Sequence, residues 1–233
     1  MKIVHFNDVV YGYASKDPSA NGGAERYAWL LVRALASRGW SVTVGVGEGL
    51  GYQQRTTISG VDFVGIGRVN KFNQLLAWYR FVRSEKPDWW FWQCADFWLG
   101  PGVYLAKLLG VRTIFSIMHD RDVRPRIALD RRPQLWPLYA LGLGGADRIF
   151  VQHQGQRNQL SSRQREKSSF LPGIVELALS VIPHSQRARM VAWVGVLRPF
   201  KRVDLLIEIA RKAPNIHFVV CGGPTRNWSP PGY

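Results

Sequence analysis

Two stretches carry residues whose types and spacing suit chemistry on a phosphorylated or hydroxyl-bearing ligand. Asn21-Gly22-Gly23-Ala24-Glu25 stands between an apolar run at 3–6 and a strong helical pattern. Adjacent glycines at a helix N-terminus let backbone amides approach a ligand, and the helix dipole favours an anion there, which suits a diphosphate. Spacing alone leaves this reading level with a flexible turn before a helix. His119 follows a second apolar run, 114–118, and is expected at the C-terminal end of a strand, the edge where open parallel sheets bind ligands. An imidazole there can hydrogen-bond a sugar hydroxyl or a phosphate oxygen. The plainer reading is a solvated or core-satisfied histidine. Asp120 either orients His119 or caps the following loop, and His5, His153, His184 and His217 keep a structural reading.

Three further patterns are weaker. Gly45-Val46-Gly47-Glu48-Gly49 imitates a dinucleotide fingerprint, but the third glycine would fall on Leu50 or Tyr52, so nicotinamide binding has little support. Arg121, Arg124, Arg126, Arg131 and Arg132 either attract a phosphorylated lipid or an anionic bilayer, or form a charged loop diluted by Asp122 and Asp130. Trp89-Trp90-Phe91-Trp92 suits stacking on a sugar or base, but a place in a central strand favours core.

The elements that must position these residues alternate. Strands are expected at 3–6, 41–44, 61–66, 89–93, 111–117, 148–152 and 169–171, with a loop at 11–21. Between them fall helical patterns at 72–82, 97–109, 135–143 and 154–161. The clearest helix places Ala24, Tyr27, Ala28, Leu31 and Leu35 on one face, with Asn21 as N-cap and Gly39 as stop. Such alternation implies βαβ units and an α/β fold, a Rossmann-like doubly wound parallel sheet over 1–172. A connection spans 173–189. A second Rossmann-like domain then starts over 190–233, with strands at 191–194 and 216–220 around a helix at 201–212. Two strands and one helix bury too little apolar area to stand alone and leave open edges, so either the segment docks on the first sheet or, the preferred expectation, the domain is incomplete.

Bulk composition narrows the class. With 46% hydrophobic and 20% charged residues, the 233-residue chain can bury a sizeable core. Cys94 and Cys221 lack paired spacing, which points to a reducing compartment and away from a disulfide framework or cysteine zinc site. The net charge of +15 favours polyanionic partners. The N-terminus has no secretory apolar run. The most apolar stretch, 89–118, is broken by Asp96, Gly100-Pro101, Lys107 and Arg112. A cytoplasmic protein is expected, soluble or peripheral at the inner membrane face.

Four segments in order resemble retaining glycosyltransferases of family 4, which have the GT-B fold. They are Gly22-Gly23-Ala24-Glu25-Arg26 with Leu31, Ala34-Leu35, Arg38-Gly39 and Val42-Thr43-Val44; Ile117-Met118-His119-Asp120; Ala146-Asp147-Arg148-Ile149-Phe150-Val151; and the run from Trp193 to Leu206. The resemblance implies a catalytic role for His119 and donor-substrate binding by Gly22, Gly23, Arg198 and Lys201, the last two neutralising the diphosphate of a nucleotide-sugar. Val196 stands where the family often has arginine, so Arg198 is expected to substitute, and Arg202 occupies a position where glycine is common. The resemblance further implies no cofactor and no obligatory metal, a glycan or lipid-linked acceptor held on the first domain, and a later E-x7-E glutamate pair absent from these residues. The polypeptide alone is therefore expected to turn over poorly, if at all. The rival readings are a basic module binding nucleic acid or an anionic membrane, and a sugar-nucleotide epimerase of the same architecture. No nucleic-acid motif supports the first, and no nucleic-acid partner is expected.

Overall fold

The computed structural model describes residues 1–17, 22–67, 73–129, 132–176, 181–197 and 201–223. The chain divides into two units, Met1–Glu176 and Leu177–Tyr233.

In the first unit the short apolar runs become strands β1 (Lys2–Phe6), β2 (Ser41–Val46), β3 (Arg55–Ile58), β4 (Val61–Gly65), β5 (Trp89–Gln93), β6 (Arg112–Ser116), β7 (Arg148–Val151) and β8 (Ser168–Phe170). They form one sheet in the order β3-β4-β2-β1-β5-β6-β7-β8. Only β3 is antiparallel to its neighbour. Among the parallel strands the order runs outward from β1 in both directions, the doubly wound pattern with a reversal between β1 and β5. Helices α1 (Asp8–Ala14), α2 (Gly23–Ala36), α3 (Gln74–Glu85), α4 (Leu99–Leu108), α5 (Pro125–Ala128), α6 (Trp136–Gly145), α7 (Gln154–Gln159) and α8 (Ser162–Glu166) connect them.

Burial follows the alternation of each strand. Ile3 and Val42 pack with Tyr27, Ala28 and Val32 of α2 on one side of the sheet, whereas Val4 and Trp90 pack with Trp78, Phe81 and Val82 of α3 on the other. A third cluster joins Phe115 and Ile149 to Tyr139 and Leu143 of α6. Asp147 fastens the start of β6, its Oδ2 accepting the Thr113 N–H at 2.7 Å and the Thr113 hydroxyl at 2.9 Å. Burial raises the carboxyl of Glu85, but hydrogen bonds from Lys2 and Arg55 outweigh it and leave the group below its ordinary range.

Glycines set the approach of α4 and α6. A Cβ on Gly100 would sit 2.2 Å from the Leu138 carbonyl oxygen, and one on Gly142 would sit 2.6 Å from the Gly100 nitrogen. Both obstacles are backbone. Gly142→Val is therefore expected to lower the unfolding free energy by about 3 kcal/mol, as overpacking of a closed interior does; urea denaturation measures it.

The element pattern matches the sequence expectation with local departures. The expected loop at 11–21 is helical through Ala14, because the Asn7 carboxamide accepts the Val10 N–H at 3.2 Å and Val10 is fully buried. Strand β3 was not expected. It is an edge strand paired across the Ser59-Gly60 turn, with both residues at positive φ. Asn21 lies outside the described residues, and Gly22 takes the N-cap position of α2.

The second unit contains a parallel pair, β9 (Met190–Val194) and β10 (His217–Cys221), with α9 (Val203–Lys212) between them in sequence. No residue of α9 is buried, and Leu205, Ile207 and Ile209 are each more than two-fifths exposed. Arg202 precedes α9 at φ +53, the left-handed conformation that glycine adopts freely, and holds Asp204 through its guanidinium.

Candidate active site

The carboxyl ends of β1, β5 and β6 lie side by side, so the loops leaving them share one edge of the sheet. The glycine loop and the His119 loop meet at this edge. Gln93, at the end of β5, connects the first of them: its Nε2 donates to the Ala24 carbonyl at 3.0 Å, tying the opening turn of α2 to the sheet.

Gly22 and Gly23 occupy different situations. Gly22 has φ +130, which L side chains rarely adopt, and a Cβ there would fall 2.1 Å from the Glu25 Oε2. Its carbonyl accepts the Tyr13 hydroxyl at 3.0 Å and the Arg26 N–H at 3.1 Å. Gly23 is the first helical residue and faces open space, with no atom within 4 Å of a would-be Cβ. The fold requires glycine at 22 but not at 23. At 23 its absence of side chain leaves the helix terminus open to a ligand.

The loop after β6 is shaped by an aspartate other than the one expected. Asp122 is buried, and its Oδ2 accepts the Met118 N–H at 3.0 Å and the His119 N–H at 3.1 Å. Tyr139 donates its hydroxyl to the Asp122 carbonyl at 2.6 Å. Burial raises the Asp122 carboxyl above its ordinary range despite the two amide bonds. Asp120 turns the other way, accepting from Gln156 Nε2 at 3.0 Å and pairing with His153 Nε2 at 2.8 Å. The orienting role considered for Asp120 thus passes to Asp122. His119 is exposed, and its Nδ1 accepts the Arg121 N–H at 3.1 Å. In the neutral ring the proton therefore sits on Nε2, which makes that nitrogen a donor at the sheet edge.

A cavity of about 250 Å³ opens at the strand-order reversal, with His5, Phe6 and Asn7 on one side and residues 90–94 on the other. Its aromatic wall departs from a pure core reading. Trp90 is fully buried, but Trp92 lines the cavity and meets Trp78 edge-on at 5.1 Å. His5, expected to be structural, is buried with its Nδ1 3.0 Å from the Phe91 carbonyl, and it lines the same cavity. Only the sheet order, which the sequence does not state, brings it there. A larger groove of about 820 Å³ lies between β4 and α3 and is lined by Arg55 and Arg80; it contains none of the expected site residues.

Burial lowers the His5 imidazole from its ordinary 6.5 to about 4. The unfolded chain then binds a proton at higher pH than the folded one. This contribution to stability is intact above 6.5 and is lost as pH falls from 6.5 to about 4, amounting to about 3 kcal/mol. Denaturant titrations at stepped pH are expected to show this loss, and His5→Asn is expected to flatten the slope across that window.

Of the remaining expected site residues, Lys201 lies in the second unit, where its carbonyl accepts the Trp193 Nε1–H at 3.4 Å. Arg198 lies outside the described residues.

Residues 22–171 match the family described as the glycosyl transferase 4-like domain. The chain belongs to this family. It is 27% identical over 151 residues to the D-inositol 3-phosphate glycosyltransferase of Mycolicibacterium gilvum, a match covering 58% of this chain and 32% of that protein. The chain thus matches about a third of the length of its curated relatives. Among solved structures it resembles HepE of Anabaena in complex with UDP-glucose, with a TM-score of 0.57 and 12% identity over 96% of this chain and 69% of that one. It also resembles sucrose-phosphate synthase of Thermosynechococcus elongatus, with a TM-score of 0.56 and 11% identity over 95% of this chain and 70% of that one. At these identities the structures establish the Rossmann-like GT-B architecture. The family match favours a transferase over an epimerase.

Proposed function

We propose that the chain carries the acceptor side of an enzyme that transfers a sugar from a nucleotide-diphosphate-sugar to a hydroxyl of a glycan or lipid-linked acceptor, with retention at the anomeric carbon. The observation that supports this most is the shared sheet edge: the open helix terminus at Gly23 is tied to the end of β5 through Gln93, and the His119 Nε2 donor follows the neighbouring strand β6. In this scheme the bond from the anomeric carbon to the diphosphate oxygen breaks. A bond to the acceptor oxygen forms on the same face, and the acceptor proton passes to the departing phosphate oxygen. The Gly22 and Gly23 backbone, with Arg198 and Lys201, is assigned to the diphosphate charge, and His119 to a sugar hydroxyl or the reacting phosphate oxygen. No cofactor beyond the donor substrate enters the scheme.

Attachment at the inner membrane face fits α4 and α6, which expose Tyr104, Leu108, Leu138 and Leu141, with the Lys107 ammonium over the Tyr104 ring. Among the described residues no helix is long and apolar enough to cross a membrane. The function is tested by calorimetric titration with UDP-glucose, GDP-mannose and ADP-glucose. Saturable binding of at least one, competed by its nucleoside diphosphate, is the expected result. Salt-sensitive oligonucleotide binding with no nucleotide-sugar binding would replace this reading with a nucleic-acid module.

A further inference from the structure

The cavity at the reversal between β1 and β5 is lined by His5, Glu25, Trp92, Gln93, Cys94 and Asp96, among others. Three buried polar atoms of this lining have no hydrogen-bond partner: His5 Nε2, Trp92 Nε1 and Gln93 Oε1. His5 is only 3% exposed. Buried polar groups are normally paired, so three orphans around one cavity mark a place where a ligand completes the bonding.

Their chemistry is defined. The Nδ1 of His5 faces the Phe91 carbonyl and must carry the proton, so Nε2 presents a lone pair. Gln93 spends its Nε2 on the Ala24 carbonyl, so Oε1 is likewise an acceptor. Trp92 offers an N–H. The three unpaired atoms therefore offer two acceptors and one donor, the complement of vicinal hydroxyls, beside the carboxylates of Glu25 and Asp96.

Charge excludes an anion. No lysine or arginine lines the cavity among the described residues, although the chain carries +15. Glu25 and Asp96 line it instead. The thiol of Cys94 is pushed up to about 12 by burial and by the nearby carboxylates of Asp122, Glu25 and Asp96. Cys94 also holds φ +63 at the strand end, a strained backbone of the kind that gathers at ligand sites. Trp92 and Trp98, backed by the buried Trp78 and Trp90, supply flat apolar walls suited to the face of a sugar ring.

We propose that this cavity binds an uncharged, polyhydroxylated ring, whose hydroxyls donate to His5 Nε2 and Gln93 Oε1 and accept from Trp92 Nε1. The inference rests on the transferase reading and narrows its acceptor: the ring seated here carries no phosphate, unlike the acceptor in the name of the mycobacterial relatives.

The test is saturation-transfer NMR of the chain with myo-inositol, glucose and N-acetylglucosamine, each beside its phosphate ester. At least one neutral ring is expected to bind, its phosphate ester at least tenfold more weakly. Gln93→Met and His5→Phe are each expected to weaken the neutral ring about tenfold, the loss of one good hydrogen bond. Gln93 is only half-buried, so Gln93→Met remains informative if His5→Phe fails to fold. Tighter binding of the phosphate ester, no binding of any neutral ring, or unchanged affinity in a folded Gln93→Met variant would overturn the proposal. Titrating the same sample with the nucleotide-sugars separates the two readings. Their binding without any neutral ring defeats this inference alone, and the absence of both defeats the transferase reading as well.

Discussion

Asp122→Ala is expected to lower stability by about 2 kcal/mol, the cost of stranding part-buried amides, and, in the complete transferase we propose, to slow transfer about 100-fold, the cost of displacing a reacting group by about an ångström. The reason is geometric. One carboxylate oxygen holds the amides of Met118 and His119, so it sets the direction in which the chain leaves β6 and where the imidazole stands. Without it, two amides lose their acceptor in a part-buried turn. Asp122→Asn separates geometry from charge: its amide oxygen can accept the same N–H groups, so it is expected to keep most of the stability and to retain the His119 position. Hydrogen exchange at Met118 and His119 in both variants checks this, with fast exchange expected in Asp122→Ala alone.

Gly22→Ala and Gly23→Ala are expected to split stability from binding. At Gly22 the φ of +130 and the Glu25 carboxylate both oppose a side chain. Alanine there is expected to cost about 1–3 kcal/mol, the usual price of a backbone held in a glycine-only region. At Gly23 the would-be Cβ meets nothing and the residue is already helical, so alanine leaves melting unchanged or slightly improved. It does place a methyl group where a phosphate must approach the helix terminus, and nucleotide-sugar affinity is expected to fall at least tenfold. Equal effects of the two variants on melting and on affinity would show that the loop is only a turn.

The parallel sheet is legible in the sequence because each buried strand is a short apolar run between turn residues and helical faces, as at 89–93 and 112–116. Helix α1 is less so, since it depends on a single side-chain cap from Asn7. The pair Asp120 and Asp122 shows the limit for the site. Two aspartates one residue apart look alike in sequence, and only the path of the chain past Tyr139 sends the second inward and the first toward His153. His5 shows it again. It was expected to be structural, and its place on the cavity follows from β1 lying beside β5 as well as beside β2.

We propose that sugar transfer is organised at the carboxyl edge of β1, β5 and β6. Hydrogen–deuterium exchange across the whole chain, with and without saturating nucleotide-sugar and neutral polyol, tests it most directly. Slowed exchange confined to residues 22–26, 93–96 and 117–122 is the expected result. Protection located instead in the groove between β4 and α3, with these three segments unchanged, would contradict it.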